Sequence, residues 1–209
     1  MSKPEGLRER KKRKMRESIA NAAARLFTRR GFETVTVAEV AREAEVSEQT
    51  VFNYFPTKED LVFDRDLEIE EGLVRLVREL KPGGKPLAAI REYTLLFLDQ
   101  LGEVPPENHG FLHLVSESPA LQAHGREMRA RHTASLAKAL AERMQRPDSD
   151  TEVWTVAEIL MVTQSSFMRS LVQHMLGGKD KKRALAAVRA EMDRVFELLG
   201  EGFSKYRVP

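Results

Sequence analysis

The amino-acid sequence predicts an all-α protein of about nine helices, and three observations support this fold class. Apolar residues recur at spacings of three and four along most of the 209 residues, which is the period of a helix with one buried face. Serine and threonine residues that are followed by acidic ones mark several helix starts. Aromatic residues make up only 7% of the chain, and no segment shows the polar–apolar alternation of a β-strand.

The composition excludes several classes of protein. Hydrophobic residues make up 42% and charged residues 32%, which is enough apolar material for a core and too much for a disordered chain. The chain has no cysteine, so disulfide scaffolds, cysteine-ligated zinc and thiol catalysis are excluded. Its apolar stretches are far shorter than the roughly 20 residues of a membrane-spanning helix. No apolar stretch follows the basic N-terminus as in a secretion signal, so we expect a cytoplasmic protein without a membrane partner.

Basic residues are concentrated near the N-terminus. The first 32 residues contain 11 basic and 3 acidic side chains, a balance of +8, although the whole chain carries only +2. Positive charge in the first turns of a helix opposes the helix dipole, so helix stability does not explain this run. A solvated tail is one interpretation, and a segment that binds a polyanion such as DNA is the one we favour. The run consists of Arg8, Arg10, Lys11, Lys12, Arg13, Lys14 and Arg16.

The first helix is predicted over about 15–30. Ile19, Ala22, Ala23, Leu26 and Phe27 share one apolar face, and Gly31 follows as the expected C-cap.

Three helices are then predicted to start within about 20 residues. Thr36 and Glu39 form a capping box pattern, Ser47 is a good N-cap, and Thr57 is another, with acidic residues in its first turn. The helices that start at Thr36 and Ser47 are joined by a very short turn. This pattern is typical of a helix-turn-helix.

The rest of the chain is predicted as longer helices separated by proline and glycine. Breaks are expected at 81–84, 105–106, 147 and 177–178, where prolines or glycines cluster or stand alone. A capping box pattern at 149–152 precedes the helix that reaches Leu176. The predicted helices cover about 57–80, 86–102, 107–116, 118–145, 151–176 and 181–204.

The segment from Thr36 to Leu61 resembles the DNA-binding signature of the TetR family of transcriptional regulators. The sequence TVAEVAREAEVSEQTVFNYFPTKEDL has counterparts of the family's threonine, Ile-Ala pair, Val-Ser, threonine, Tyr-Phe and lysine-leucine elements in order and spacing. The preceding alanine-rich helix, with Leu26-Phe27 and Gly31-Phe32, also matches. The resemblance implies a helix-turn-helix DNA-binding domain with a basic arm over 1–60, and a ligand-binding and dimerisation domain over 61–209. The predicted helix over 57–80 would then transmit a signal between them.

The resemblance also implies which residues meet DNA. The helix from Glu48 to Tyr54 should enter the major groove. Gln49 and Asn53 lie four apart and can each donate and accept, as reading an adenine edge requires, and Glu48 can accept from a cytosine amino group. The basic run would follow the backbone or reach into a minor groove. Residues that resemble the family's phosphate contacts are Thr36, Thr50, Tyr54 and Lys58.

Two residues depart from the family pattern. Glu45 occupies the turn where the family usually has glycine, and a left-handed conformation there costs roughly 1 kcal/mol for a residue with a side chain. Phe52 replaces the usual tyrosine of the recognition helix. Its contact with a base must be apolar, for example with a thymine methyl group.

The last two predicted helices suggest a dimer. The helix over 151–176 is apolar on more than one side, and the last helix has apolar residues at nearly heptad spacing. In TetR-like proteins these helices pair with their symmetry mates, whereas the plain alternative is a monomeric core. The predicted interface residues are Leu185, Val188, Met192, Val195 and Leu199.

The remaining helices are expected to enclose a ligand pocket, although any one of its residues can equally be ordinary core. Phenylalanine and methionine would supply an adaptable apolar lining, and a few polar groups would orient the ligand. An apolar or amphipathic effector is expected, without a cofactor. The predicted lining is Tyr93, Phe97, Leu101, Phe111, Leu114, Met128, His132, Trp154, Met161, Gln164, Ser165 and Met168.

No other chemistry is favoured. His109, His113 and Glu117 have metal-ligand spacing, but Pro105, Pro106 and Gly110 disfavour a regular helix there, so we expect no metal site. No catalytic motif is recognisable, so we expect no enzyme. The sequence therefore predicts a homodimeric transcriptional regulator, a repressor that a small ligand releases from a palindromic operator. The alternatives are a non-sensing architectural DNA-binding protein and a helical small-molecule-binding or enzymatic protein.

Overall fold

The computed structural model describes residues 6–103, 110–177 and 180–202, without the side chains of 100–103, 110–113 and 176. Within these ranges the chain is all-α, as predicted, with nine α-helices, one 3₁₀ turn and no strand. None of the described helices is long and apolar enough to span a membrane. The elements are α1 (Leu7–Arg30), α2 (Val37–Glu43), α3 (Glu48–Tyr54), the 3₁₀ turn (Glu59–Leu61), α4 (Asp66–Arg78), α5 (Pro86–Glu103), α6 (Gly110–Glu117), α7 (Pro119–Met144), α8 (Thr151–Leu176) and α9 (Lys181–Gly202).

The helices form two compact units. The first contains the described residues up to 66 together with 110–124, and the second contains the described parts of 67–105 and 125–209. A simple boundary after residue 60 therefore differs from the observed division, because α6 and the first turn of α7 belong to the first unit. Leu121 of α7 has no exposed surface and is part of that unit's core.

The first unit is built around the apolar face of α1. Ile19, Ala22, Ala23, Leu26 and Phe27 are all buried, as predicted. Ile19, Ala23, Leu26 and Phe27 pack with apolar residues of α2, α3 and the 3₁₀ turn. The other large buried residues of this core are Phe32, Val35, Val40, Val51, Phe55, Leu61 and Val62.

α1 begins at Leu7, about two turns earlier than predicted. Glu9 stabilises this start, since its carboxylate accepts a hydrogen bond from the Gly6 N–H at 3.2 Å. The whole basic run therefore lies on the helix itself, and all of its residues except Arg16 are exposed.

The single helix predicted over 57–80 is wrong. The chain forms a 3₁₀ turn, then an irregular segment, and α4 begins only at Asp66. Leu61 and Val62 are buried in the core, and the Asp64 carbonyl accepts from the Arg16 guanidinium at 2.9 Å. No proline or glycine marks this break in the sequence. We therefore attribute it to tertiary contacts, namely the burial of Leu61 and Val62 and the hydrogen bond from Arg16.

The second unit contains α8 and α9, which pack against each other and against α5. α8 begins at Thr151, and its N-cap is Asp150, whose carboxylate accepts from the Glu152 and Val153 N–H groups at 2.9 and 3.1 Å. The sequence pattern predicted a capping box that starts at Ser149, but the residue that caps α8 is Asp150. Phe167 and Phe196 are in contact within this core, with ring centroids 5.6 Å apart.

The predicted dimer residues of α9 need correction. Val188 and Met192 have no exposed surface in a single chain, and Leu185 is only 9% exposed, so these three side chains pack into the chain's own core. Val195 and Leu199 are half-buried. The apolar spacing correctly indicated the buried face of α9 but not what it packs against.

Candidate nucleic-acid interface

The start of α2 is fixed by a capping box, as predicted. The Thr36 hydroxyl accepts from the Glu39 N–H at 3.3 Å, and the Glu39 carboxylate accepts from the Thr36 N–H at 2.8 Å. Arg30 donates to the other Glu39 oxygen at 2.8 Å. These contacts, with the Thr36 N–H first and Arg30 second, lower the pKa of Glu39 to about 2. Thr36 itself is exposed at the helix N-terminus, where free N–H groups favour a phosphate.

The turn between α2 and α3 has the left-handed residue that the sequence suggested. Glu45 has a φ of 56° and an exposed side chain. The Val46 N–H donates to the Ala41 carbonyl at 2.9 Å, which ends α2. Ser47 then caps α3, because its hydroxyl accepts from the Thr50 N–H at 3.0 Å.

α3 has one buried and one exposed face. Val51 is 1% exposed and Phe55, directly after the helix, is fully buried, so α3 is anchored by its inner side. The outer side presents the predicted base-reading residues together, and Phe52 is 43% exposed there. Gln49 donates to the Asn53 side-chain oxygen at 3.2 Å. The exposed residues of this face are Glu48, Gln49, Phe52 and Asn53.

The predicted phosphate contacts lie around this face. Thr50 and Tyr54 are half-buried, and Tyr54 packs against the core of the unit. The Lys58 ammonium lies 4.2 Å from the centre of the Phe32 ring, a cation–π contact that restricts its position. Thr57 and Asp60 cap the 3₁₀ turn reciprocally, with N···O distances of 2.8 and 3.2 Å. Thr57 therefore makes the hydrogen bonds of the predicted cap, but it precedes a short 3₁₀ turn, whose N-cap is Lys58, and not a long helix.

The basic run divides into two parts. Arg10, Lys11 and Lys12 are exposed, and Arg13 pairs with Glu17 on the surface at 2.8 Å. Arg16 is instead half-buried and donates to the carbonyls of Tyr54 and Asp64. The sequence grouped Arg16 with the rest. Its spacing of three from the buried Ile19 indicated a side chain near the core, but its partners are 38 and 48 residues away.

The predicted pocket residues occupy different environments. His132 and Met161 are 3% and 4% exposed, whereas Trp154 is 38% exposed and its indole donates to the Asp148 carbonyl at 2.7 Å. Leu114 packs against the core of the first unit. The side chains of Leu101 and Phe111 lie outside the described residues. The half-buried members are Tyr93, Phe97, Met128, Gln164, Ser165 and Met168.

A groove of about 570 Å³ runs along α4, but none of the predicted pocket residues lines it. Its lining is mixed, with Leu67 and Val74 among acidic and basic side chains. This groove is an open feature of the surface, and the predicted pocket residues do not surround it. His109 and the side chain of His113 lie outside the described residues, which contain no metal-binding cluster of histidine and acidic side chains.

Two protein families match the chain. The family described as "Bacterial regulatory proteins, tetR family" matches residues 19–64, and the "MftR C-terminal domain" matches residues 85–204. The HTH-type transcriptional regulator TcmR of Streptomyces glaucescens is 30% identical over 145 residues, which are 66% of this chain and 64% of that protein. LuxR of Vibrio harveyi, also an HTH-type transcriptional regulator, is 47% identical over 49 residues, 23% of this chain and 24% of LuxR. The chain therefore spans less than two thirds of these curated relatives.

Solved structures show the same fold. GusR of Salmonella enterica superposes with a TM-score of 0.57 at 17% identity, covering 91% of this chain and 95% of GusR. SmeT of Stenotrophomonas maltophilia in complex with triclosan superposes with a TM-score of 0.54 at 17% identity, covering 85% and 90% of the two chains. At this level of identity the likeness concerns the fold alone.

Proposed function

The chain belongs to the TetR family of bacterial regulatory proteins, and on that premise we propose that it is a homodimeric, DNA-binding transcriptional repressor, released from a palindromic operator by a largely apolar small molecule. Such a protein would act in the cytoplasm. The observation that supports DNA binding most is the outer face of α3. It presents Glu48, Gln49, Phe52 and Asn53 together, on a helix anchored by Val51 and Phe55 and capped by Ser47.

Different residues of this surface would have different roles. Gln49 and Asn53 would read base edges in the major groove, where adenine is the best bidentate partner of an amide. Glu48 would accept from a cytosine amino group, and Phe52 would contact a thymine methyl group. Thr36, Thr50, Tyr54 and Lys58 would contact phosphates.

The exposed turns of α1 would add binding energy that does not depend on sequence. These turns belong to the same helix whose later turns are buried in the core of the first unit. Their exposed basic residues are Arg10, Lys11, Lys12 and Arg13. Each phosphate that they neutralise would release counterions and make binding depend more steeply on salt.

The effector would bind in the second unit. The buried His132 and Met161 and the half-buried Tyr93, Phe97, Met128, Gln164, Ser165 and Met168 remain the proposed lining, with Leu101 as a further member. Phe111 lies on α6, which belongs to the first unit, so it is not included. Trp154 is the weakest member, since its ring is exposed and its N–H is already bonded. SmeT, a structural neighbour, is solved with triclosan, an example of a small-molecule complex in this fold.

The first experiment selects bound sequences from a random duplex pool at moderate salt. Recovery of a palindromic motif would support a dimeric, sequence-specific regulator and would supply its operator. Binding without a motif would support the architectural alternative, and no binding would contradict the proposal. A thermal shift screen against apolar compounds then tests the effector, because a ligand that binds the folded state raises the melting temperature.

Substitutions then test the division of roles on the selected operator. Lys58→Ala should weaken binding to all duplexes, and it should reduce the slope of log affinity against log salt by about 1, the value for one lost phosphate contact. Gln49→Ala and Asn53→Ala should relax base preference instead, by about 1–3 kcal/mol for each base edge that is no longer read. Lys138→Ala, an exposed position on α7, is the charge-matched control. An equal, sequence-independent loss of affinity in Lys58→Ala, Gln49→Ala and Asn53→Ala would contradict these roles.

A further inference from the structure

Arg16 has a set of contacts that separates it from the exposed part of the basic run. Its Nη1 donates to the Tyr54 carbonyl at 2.6 Å and its Nη2 donates to the Asp64 carbonyl at 2.9 Å. The guanidinium carbon lies 4.2 Å from the centre of the Phe55 ring. One side chain of α1 thus contacts both the end of α3 and the segment that follows the 3₁₀ turn.

Each of these contacts fits the chemistry of an arginine. Tyr54 is the last residue of α3, so its carbonyl lacks a partner within the helix, and a cation there is favoured by the helix dipole. The planar guanidinium donates in two directions at once and stacks on an aromatic face. Phe55 has no exposed surface, so the ring beneath Arg16 is fixed by the core.

The second carbonyl extends the link beyond α3. Asp64 lies in the irregular segment between the 3₁₀ turn and Asp66, the first residue of α4. Arg16 therefore joins α1, the end of α3 and the segment that leads into α4. The Nη1 and Nη2 groups that donate to these two carbonyls point into the protein. In this conformation those N–H groups cannot bind a phosphate.

We propose that Arg16 is a positioning residue for DNA reading: it fixes the C-terminal end of α3 relative to α1 and to the segment before α4, and it does not itself contact DNA. This inference rests on the proposed function, because it concerns the surface of α3 that would read bases. A fixed α3 places Gln49 and Asn53 in one orientation relative to the phosphate contacts. A loosened α3 still presents the same charges but reads bases poorly.

The variant Arg16→Lys separates positioning from charge, since lysine keeps the positive charge but has no planar fork. Arg25→Lys is the matched control, because Arg25 is an exposed arginine of α1 that pairs with Glu43 at 3.3 Å. Both variants are titrated with the selected operator and with a scrambled duplex across a range of salt. We expect Arg16→Lys to reduce the preference for the operator by about tenfold or more, with scrambled-duplex affinity and the salt slope unchanged. Arg25→Lys should keep the preference of the wild type.

The outcomes distinguish this inference from the proposed function. Failure of the unaltered protein to bind any duplex would contradict the proposed function. If the unaltered protein prefers its operator and Arg16→Lys keeps that preference within about twofold, the positioning role is wrong. It is equally wrong if Arg16→Lys loses affinity for both duplexes in parallel, since that result indicates a phosphate contact.

A measurement on the unaltered protein covers the case in which Arg16→Lys does not fold. Nitrogen-15 NMR of the arginine side chains, assigned through bonds from the backbone, reports rotation about the guanidinium Nε–Cζ bond. We expect separate, slowly exchanging Nη signals for Arg16, because both nitrogens are hydrogen-bonded. A single averaged signal, as for a freely rotating guanidinium, would overturn the proposal.

Discussion

Glu45 occupies a backbone conformation that favours glycine. Its φ of 56° lies in the left-handed region, and its side chain is exposed. This conformation costs an L-residue roughly 1–2 kcal/mol. Glycine adopts it without steric strain, although glycine loses more conformational entropy on folding than other residues do. We expect Glu45→Gly to raise the free energy of unfolding by about 0.5–1 kcal/mol, measured by urea titration.

Two further glycine substitutions serve as controls for Glu45→Gly. Gln145 has a φ of 53°, so Gln145→Gly should also stabilise the protein. Arg126 is an exposed position within α7, where glycine should destabilise by about 1 kcal/mol. If Glu45→Gly behaves like Arg126→Gly, the conformation assigned to the turn is wrong.

Glu39 makes the stability of the first unit depend on pH. Its pKa falls from an ordinary value of 4.5 to about 2, because the carboxylate accepts from the Thr36 N–H and pairs with Arg30. A lowered folded-state pKa stabilises the fold fully above pH 4.5, and this contribution is lost as the pH falls from about 4.5 to about 2. We expect Glu39→Gln to be less stable than the unaltered protein at about pH 6, and the difference to shrink towards about pH 2.

Urea unfolding at about pH 6, 4 and 2.5 tests the role of Glu39. Glu127→Gln, at an exposed position of α7, is the charge-matched control. The gap between the unaltered protein and Glu39→Gln should narrow more steeply than the gap for the control. A gap for Glu39→Gln that stays constant across this range is incompatible with an ionised Glu39 that is held by Thr36 and Arg30.

At the scale of the element, α1 combines two functions along one helix. Its C-terminal half is buried through Ile19 and Phe27, and its first turns are exposed and basic. If these turns lie along DNA, Lys11→Gln with Lys12→Gln should reduce the slope of log affinity against log salt by about 0.9 for each phosphate that is no longer neutralised. The melting temperature should hardly change, because both side chains are exposed.

The matched control for α1 is the lysine pair at the start of α9, Lys181 and Lys182. Its replacement by glutamine removes the same charge from a helix that is not expected to meet DNA. Fluorescence anisotropy titrations of one duplex at several salt concentrations give both slopes. Equal slopes for the two double variants would place the first turns of α1 away from the DNA.

The same scale shows which elements could be predicted from the sequence. Caps are local, so Thr36 with Glu39 and Ser47 with Thr50 could be predicted from residues three apart. The break before α4 could not, because it depends on the burial of Val62 and on the hydrogen bond from Arg16, which is far away in sequence. Local signals therefore predict where a helix starts better than where a tertiary contact interrupts it.

The candidate site shows the same limit. The exposed face of α3 could be predicted from periodicity, because Val51 and Phe55 indicate the buried side. For α9, the apolar residues also indicate a buried side, but periodicity does not distinguish a core from an interface, and Val188 and Met192 prove to be core. The effector pocket is harder still, since it requires side chains from several helices whose packing no local pattern specifies.

At the scale of the whole molecule, a palindromic operator requires two recognition helices about one turn of DNA apart, roughly 34–36 Å. The proposed dimer would use outward residues of α8 and α9, since the inward ones are already packed. Val162 of α8 is 44% exposed and Leu198 of α9 is 73% exposed, so both apolar side chains are available to an interface. Burying an aspartate in such an interface is costly.

We therefore expect sedimentation equilibrium to give twice the chain mass of 23.8 kDa for the unaltered protein. The double variant Val162→Asp with Leu198→Asp should give the single mass and should bind the palindrome no more tightly than one isolated half-site, because the two recognition helices are no longer linked. Leu67→Asp is the control, since Leu67 is 60% exposed on α4. A monomeric unaltered protein, or dissociation caused equally by Leu67→Asp, would contradict an interface formed by α8 and α9.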